Sequence, residues 1–587
     1  MPGACMTVLR RLRFAAFALA AGVVAFAGAH AQPPAAKKQA AKQQLKLQRE
    51  QQQKAEEARK REEERAKQEK LKVELAKKET GTRPDRLIPK SLGDATAVSS
   101  EIDRQVSAKL STEKAPAGEI SSDAEFLRRV SLDLTGQIPA PSRAREFLES
   151  REPDKRARLV DELLASPNFG RHQADLWMSV LVTRTSDQRR ITFEPLRDWL
   201  KDQFNANRPW SRIAGELIAS TGEQDKNPAV TFYLSNNTVD KMTDTVSRVF
   251  MGVSIQCAQC HDHKFEDWKQ TEYWSLAQFF MKVSVTGTGP GMKDAEPGVA
   301  EVKSPNRKRF PLPEDAKSVP ARYLRDSTSV TLPADNSPVR PLLAQWLTSP
   351  SNPYFARAFV NRTWSQFFGV GIVDPVDDMG PNAIASHPAM LDNLSSHFAA
   401  DGFQVKNLFR GIVLSQTYQR SSKPTGGPGD EDPRLFARMA TKIMTPEQLF
   451  DSTMSVAIVD GPAAARLKKA AGAPKGGNID PRERFVNFFL AGQEMASTTE
   501  YDVGIPQALK LMNSRQIGTP AAAQAIIGTR KNAEAVQQLY LATLSRLPTS
   551  EETTRMLSHV KSAGNPETGY ADVLWALLNC SEFTMVR

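Results

Sequence analysis

The stretch CAQCHDH, residues 257–263, concentrates residue types that do chemistry. Cys257 and Cys260 are three apart, His261 follows directly, and His263 stands two further on. The continuation HDHKFEDW adds Asp262, Glu266 and Asp267. Three chemistries use such a set. In the first, two thiols add across the vinyl groups of a porphyrin and the adjacent histidine takes the iron, so Cys257, Cys260 and His261 would attach haem c. In the second, Cys257, Cys260, His261 and His263 are donors to zinc or iron, with Asp262 and Asp267 orienting ligands from behind. All four closing on one ion within seven residues would strain the backbone. Three of them with a distant His or Asp is easier. In the third, Cys257 and Cys260 close a disulfide in an oxidising compartment and the histidines are structural.

The surroundings extend each reading. Asp240 and Asp244 lie one turn apart upstream of the motif and either face the same site or cap and solvate a helix. A sixth ligand for haem is not specified. His263 would point elsewhere on a helix, and His172, His387, His397 and His559 are formal candidates. Tyr273, Trp274 and Phe279, shortly downstream, are expected either to wall a porphyrin cleft or to be plain core. Cys580, in LLNCSEF, reads as a buried, inert thiol. DPVDDMG (374–380) clusters carboxylates but lacks the spacing of an EF-hand, so a turn with capping aspartates is expected. SHP (386–388) reads as a helix start, with Ser386 as N-cap and Pro388 near the first position. The sequence contains no GxSxG, no HExxH and no phosphate-cradling glycine loop.

The N-terminus bounds where this chemistry takes place. Arg10, Arg11 and Arg13 precede the apolar run FAAFALAAGVVAFAG and the small-residue stop AHA, which reads as a signal peptide over 1–31. The protein is therefore expected to be exported, to the periplasm, the cell surface or beyond, with no membrane-spanning segment in the mature chain. The net charge of +11 is unevenly spread. Residues 32–79 hold 15 basic and 9 acidic side chains, whereas the sequence beyond holds 60 and 58. A nearly neutral body gives no reason to propose nucleic acid as a partner. The charged segment, 32–85, is rich in Ala, Gln, Lys and Glu, with Glu56–Lys60 and Glu63–Lys67 pairs and too few apolar residues for a coiled-coil seam. It reads as a solvated helical spacer, or more boldly as a basic arm on an anionic envelope.

The elements that position the motif are helical. SSDAEFLRRVSLDLTG opens with a capping box, Ser122 to Glu125, followed by Phe126, Val130 and Leu134 at helical spacing. Further helices are expected at 154–165, 170–183, 195–206, 211–220, 240–256 and 271–282. After an irregular connection at 286–330 they resume at 340–348, 353–368, 388–400, 405–417, 446–457, 505–514, 532–546, 550–562 and 568–579. No repeat of fixed period is visible. The fold class is mainly α: an irregular multi-helix body of two co-packed domains, at 95–285 and 331–587, behind the signal peptide and the charged helix.

EFLRRVSLDLTGQIPAPSRAREFL, RLVDELLASPNFGRHQADLW and CAQCHDHKFEDWKQTEYWSLAQFF resemble the planctomycete secreted cytochrome-like domain family. NPYFARAFVNRTWSQFFGVGIVDPVDDMG, SHPAMLDNLSSHF and LFRGIVLSQTYQRSS resemble its C-terminal companion, a domain of unknown function. The resemblance runs from about residue 100 to the C-terminus and implies no established activity. Relatives often carry a further cytochrome c domain at the N-terminus. This chain has the charged helix there, so at most one haem site is implied. The resulting expectation is covalent haem c binding and electron transfer through CAQCH with an envelope redox partner. An extracytoplasmic metal-dependent enzyme acting on cell-surface polymers and a non-catalytic envelope scaffold with a structural disulfide stand beside it. Whether the protein is an enzyme, and its oligomeric state, are left open by the residues.

Overall fold

The computed structural model describes residues 87–182, 191–264, 266–288, 295–302, 319–326, 329–333, 335, 337–457, 480–490 and 518–587. The expectations for 1–31, for 32–85 and for a helix at 505–514, and much of the 286–330 connection, lie outside them. Among the described residues, 22 α-helices stand against five short strands, so the body is mainly α. No described helix is long and apolar enough to cross a membrane.

Local sequence explains the helix ends. Helix Asp123–Thr135 starts at Ser122, whose hydroxyl accepts from the Glu125 amide, and stops at Gly136 in the left-handed region. Only half of the expected capping box forms. The Glu125 carboxylate turns to Arg129, Ser421 and the Ser422 amide instead of to the cap. Helix Pro388–Ala400 has Pro388 first, as the SHP motif implied, but the cap position falls on His387, and the Ser386 hydroxyl donates to the Ile372 carbonyl. Helix Val239–Met251 is shorter than the expected 240–256 because Gly252, at φ 68°, ends it in a left-handed turn.

The two stretches on either side of the connection share one apolar core. Helix Ala95–Thr112 packs on helix Val405–Leu414 so closely that a Cβ at Gly411 would lie 2.5 Å from a Val98 methyl. The Ser99 hydroxyl donates to the Gly411 carbonyl at 2.7 Å, and Asp103 accepts from the Gln416 and Thr417 amides. At the centre Trp177 stacks on Phe359, 5.7 Å between rings and 7° between planes, and Trp210 stacks on Phe355. Each such pair adds about 0.5–1.5 kcal/mol beyond the area it buries. Because each pair joins residues from before and after the connection, neither stretch has its own complete centre.

The connection is less irregular than its composition suggested. Gly298–Glu301 is the middle strand of an antiparallel sheet, between Gly222–Glu223 and Val283–Thr286. Its last residue, Glu301, forms an ion pair with Arg340 at 2.8 Å, both side chains being out of reach of water. Arg340 also lies over the Tyr233 ring.

A second apolar core gathers helices Pro446–Ala457, Pro481–Leu490, Pro520–Ile527, Asn532–Leu544 and Pro566–Leu578 around Leu132 and Ile138. Polar groups form much of its join to the first core. Arg482 reaches Asp175 and Asp451. Lys442 donates to Asp133 at 2.7 Å, and so does the Tyr418 hydroxyl at 2.8 Å. Arg128 donates to the Thr543 and Phe583 carbonyls.

Candidate functional site

The motif is not on an α-helix. Four residues after helix Val239–Met251 the chain makes a 3-10 turn, Gln256–Gln259, with Cys260 at its end. Side chains three apart eclipse on such a turn, so Cys257 and Cys260 project from the same side. Both are exposed free thiols. Ala258 faces inward and is fully buried. The Gln259 carbonyl accepts from the Trp274 indole at 3.0 Å and from the Gln270 amide group at 3.2 Å. The turn is thereby pinned from beneath with its sulfurs outward.

The two histidines are set up in opposite ways. His261 is exposed, and its Nδ1 lies 2.7 Å from the Asp262 carbonyl. A carbonyl only accepts, so Nδ1 carries the proton and the lone pair is on Nε2. In His263 the Nδ1 accepts from the Glu266 amide at 2.9 Å, while its own backbone amide donates to the Trp268 carbonyl. A neutral His263 then carries its proton on Nε2. To ligate through that nitrogen it would have to give up the Glu266 bond. His261 thus has the tautomer of a ligand, and His263 that of a loop anchor.

The carboxylates divide in the same manner. Asp262 accepts from the Gln270 amide at 2.9 Å, which with Lys269 holds its carboxyl below the usual range. Asp267 lies at the exposed rim beside Lys269 and Arg325, and Arg325 covers the Trp268 ring. Asp240 and Asp244 lie on the inner side. Both raise the Tyr273 hydroxyl, whose pKa is already pushed up by burial, and Cys260 adds to this. Burial also raises Asp244 against the pull of Arg248, helped by Asp377. The four predicted carboxylates therefore flank the motif on two sides. Among the described residues, no group of three or more His, Cys, Asp and Glu is arranged to hold a metal ion.

DPVDDMG is the part of the site that sequence reasoning missed. It is a turn, as expected, but its role is to clamp. Asp377 pairs with Arg248 at 3.1 Å and with Arg362. The Asp377 carbonyl accepts from Ser254, and the Met379 amide donates to the Gly252 carbonyl at 2.7 Å. The Glu266 carboxylate accepts from the Asn382 amide. A Cβ at Gly380 would sit 2.9 Å from a Glu266 oxygen, so a side chain there would push that carboxylate aside. Arg248, four residues before Gly252 on the helix preceding the motif, was the available signal, since a charge on a largely buried stretch of helix implies a counter-charge.

The other candidates lie elsewhere. His172 packs against Gly136, His387 against Phe436, His397 accepts from the Leu92 amide, and His559 pairs with Asp572. Tyr273, Trp274 and Phe279 are core, with Phe279 stacked on Tyr323, and they wall no cleft over the thiols. Cys580 is half-buried, capping the short helix Ser581–Thr584, and its thiol donates to the Leu577 carbonyl.

Against known families, residues 101–285 match the model PSCyt2, described as a protein of unknown function (DUF1549), and residues 339–560 match PSD1, described as a protein of unknown function (DUF1553). The two follow one another in the order of a two-domain family. Neither a curated protein nor a solved structure matches the chain. The first match contains the thiols and both histidines, and the second contains the 377–382 clamp.

Proposed function

We propose that this is an exported envelope protein that carries one haem c on CAQCH and exchanges electrons through it. The observation that carries the reading is the tautomer of His261. Its Nδ1–H is held by the Asp262 carbonyl and its Nε2 lone pair is available, beside two exposed thiols on one 3-10 turn. Two accessible thiols and one imidazole of this form suit covalent attachment and axial ligation. Cys257 and Cys260 would form the thioethers and His261 would be the axial ligand. When bound, the group supplies a one-electron couple. The chain's own part is to keep the turn rigid through Ala258, Trp274 and the 377–382 clamp. The motif's second histidine, His263, is engaged by the Glu266 amide, so His261 is the one ligand expected from the turn. The leader at 1–31 and the charged 32–85 segment support export and an envelope location.

The test is a visible spectrum with metal analysis on protein purified from its native host. A Soret band, a sharp α-band on reduction and stoichiometric iron are expected, all lost in Cys257→Ala/Cys260→Ala. Two thiols that both react with maleimide in the native protein would remove haem from consideration. A second reading is favoured by the charged rim of Asp262, Asp267 and Lys269 and the burial of Tyr273, Trp274 and Phe279 in the core: a scaffold in which Cys257 and Cys260 close on each other. In that case no thiol of the pair reacts until a reductant is added. Stoichiometric zinc or iron without porphyrin would instead favour a metal-dependent enzyme acting on surface polymers.

A further inference from the structure

Between the two apolar cores a cleft of about 660 Å³ opens on the side formed by the turn after helix Asp123–Thr135. That volume lies within the ~300–1,000 Å³ of small-molecule sites, which favour such junctions. One wall is the segment Gln137–Pro141, from the DLTGQIPAP motif that the redox reading leaves unused, together with Leu159 and Asn168. The opposite wall is Val456 with Ala525, Ile526, Gln538 and Ala542.

Four of the uncharged polar side chains here, Ser131, Gln137, Asn168 and Gln538, keep hydrogen-bonding capacity to spare. Ser131 lines the cleft, is 1% exposed, and its hydroxyl has no hydrogen-bond partner. Such a group costs about 1–3 kcal/mol until something meets it. Asn168 donates to Gln137 at 3.2 Å, which leaves the NH₂ of Gln137 and the carbonyl of Asn168 for a ligand. Gln538 is likewise uncommitted. The charged lining residues, Arg143 and Glu162, are paired with each other at 2.7 Å. Thr135, Ser166 and Ser455 also line the cleft but already hydrogen-bond within the chain; the rest of the surface is aliphatic or proline, with no aromatic ring among the lining residues.

We infer that this cleft is a binding site for a neutral saccharide unit bearing an N-acetyl group. Side-chain amides match the ligand amide in both senses, hydroxyls match hydroxyls, and Ile138, Pro139, Val456 and Ile526 receive the methyl group and the C–H faces. The cancelled charge disfavours a cationic or anionic sugar. Without an aromatic platform the affinity is modest, about millimolar.

The test titrates full-length protein with di-N-acetylchitobiose, with maltose, which has no amide, and with the deacetylated, cationic dimer, read by ligand-observed NMR and calorimetry. Saturable binding of the N-acetylated dimer is expected, at least about ten-fold tighter than the other two. Ala525→Trp places an indole in the mouth from an exposed helix position, and it should abolish binding with the thermal midpoint unchanged. Should that variant melt early, Gln538→Ala decides, with a weakening of about ten-fold expected. The site is overturned by no saturable binding to any of the three sugars, or by binding that both variants leave intact. Equal binding of maltose or the cationic dimer overturns the N-acetyl assignment.

Discussion

The CAQCHDH turn and the join between the two cores both gather polar, chemically capable side chains and use them in opposite ways. In the join, Arg482 faces Asp175 and Asp451, Lys442 faces Asp133, and Tyr418 completes Asp133, all where water scarcely reaches. Each charge there is matched, so the network is architecture. On the turn, Cys257, Cys260 and His261 are exposed, and beyond the backbone and Ala258 only the Nδ1 of His261 is committed, to the Asp262 carbonyl. The lesson is that residue type marks a candidate, while access and leftover valence mark a site.

If that contrast is right, the largest effects on stability come from the join. Arg482→Ala leaves the Asp175 and Asp451 carboxylates without their main partner, and a loss of about 3–5 kcal/mol is expected in urea unfolding. A loss under 1 kcal/mol would mean that the join is wetter than its geometry indicates.

His172 tests the same interior with protons. Burial holds its pKa down at about 4, against 6.5 for a free imidazole. Between those values the unfolded chain takes up a proton that the folded chain refuses. The stabilising contribution is therefore complete above about pH 6.5 and is lost as pH falls to about 4, amounting to about 3 kcal/mol. His387, also held at about 4 by burial, acts in the same direction. Thermal midpoints from pH 7 to 4.5 should fall less steeply in His172→Asn than in the parent, and identical slopes would contradict the assignment.

Asp103 lies between the extremes. It caps helix Gln416–Gln419 from helix Ala95–Thr112 across the shared core. Asp103→Ala is expected to lower stability by about 1 kcal/mol. A fall of several kcal/mol would show that helix Ala95–Thr112 is held more by these bonds than by its Val98–Gly411 contact.

The smallest effect belongs to the turn. Cys257→Ala, Cys260→Ala and His261→Ala should each change apo-protein stability by less than about 0.5 kcal/mol, because the two thiols are exposed and the one bond of His261 is a solvent-exposed contact to the neighbouring carbonyl. A chromophore, if bound, should vanish in the two cysteine variants all the same. Variants that unfold the body would place the turn among the architectural parts.

Helix type and position were legible at Asp123–Thr135, Phe355–Phe368 and Ser550–Ser562, because apolar spacing and capping residues are local properties. Helix Ala95–Thr112 was not foreseen. Its buried face, Val98, Ile102, Val106 and Leu110, is a sparse stripe among polar residues, and only the groove beside Gly411 makes it worth burying. The strand Gly298–Glu301 was hidden because its partners are two short segments far apart in sequence.

At the site, the sequence by itself determined which atoms could react: two thiols three apart and an imidazole next to the second. It could not determine which histidine is prepared to bind. That depends on whether Nδ1 meets a carbonyl or an amide, and the difference between the Asp262 carbonyl at His261 and the Glu266 amide at His263 exists only once the loop has closed. Nor could it show that DPVDDMG, more than a hundred residues downstream, braces the turn. Tertiary structure decided this because Arg248 and Arg362, on largely buried helices, need a counter-ion, and Asp377 supplies it to both.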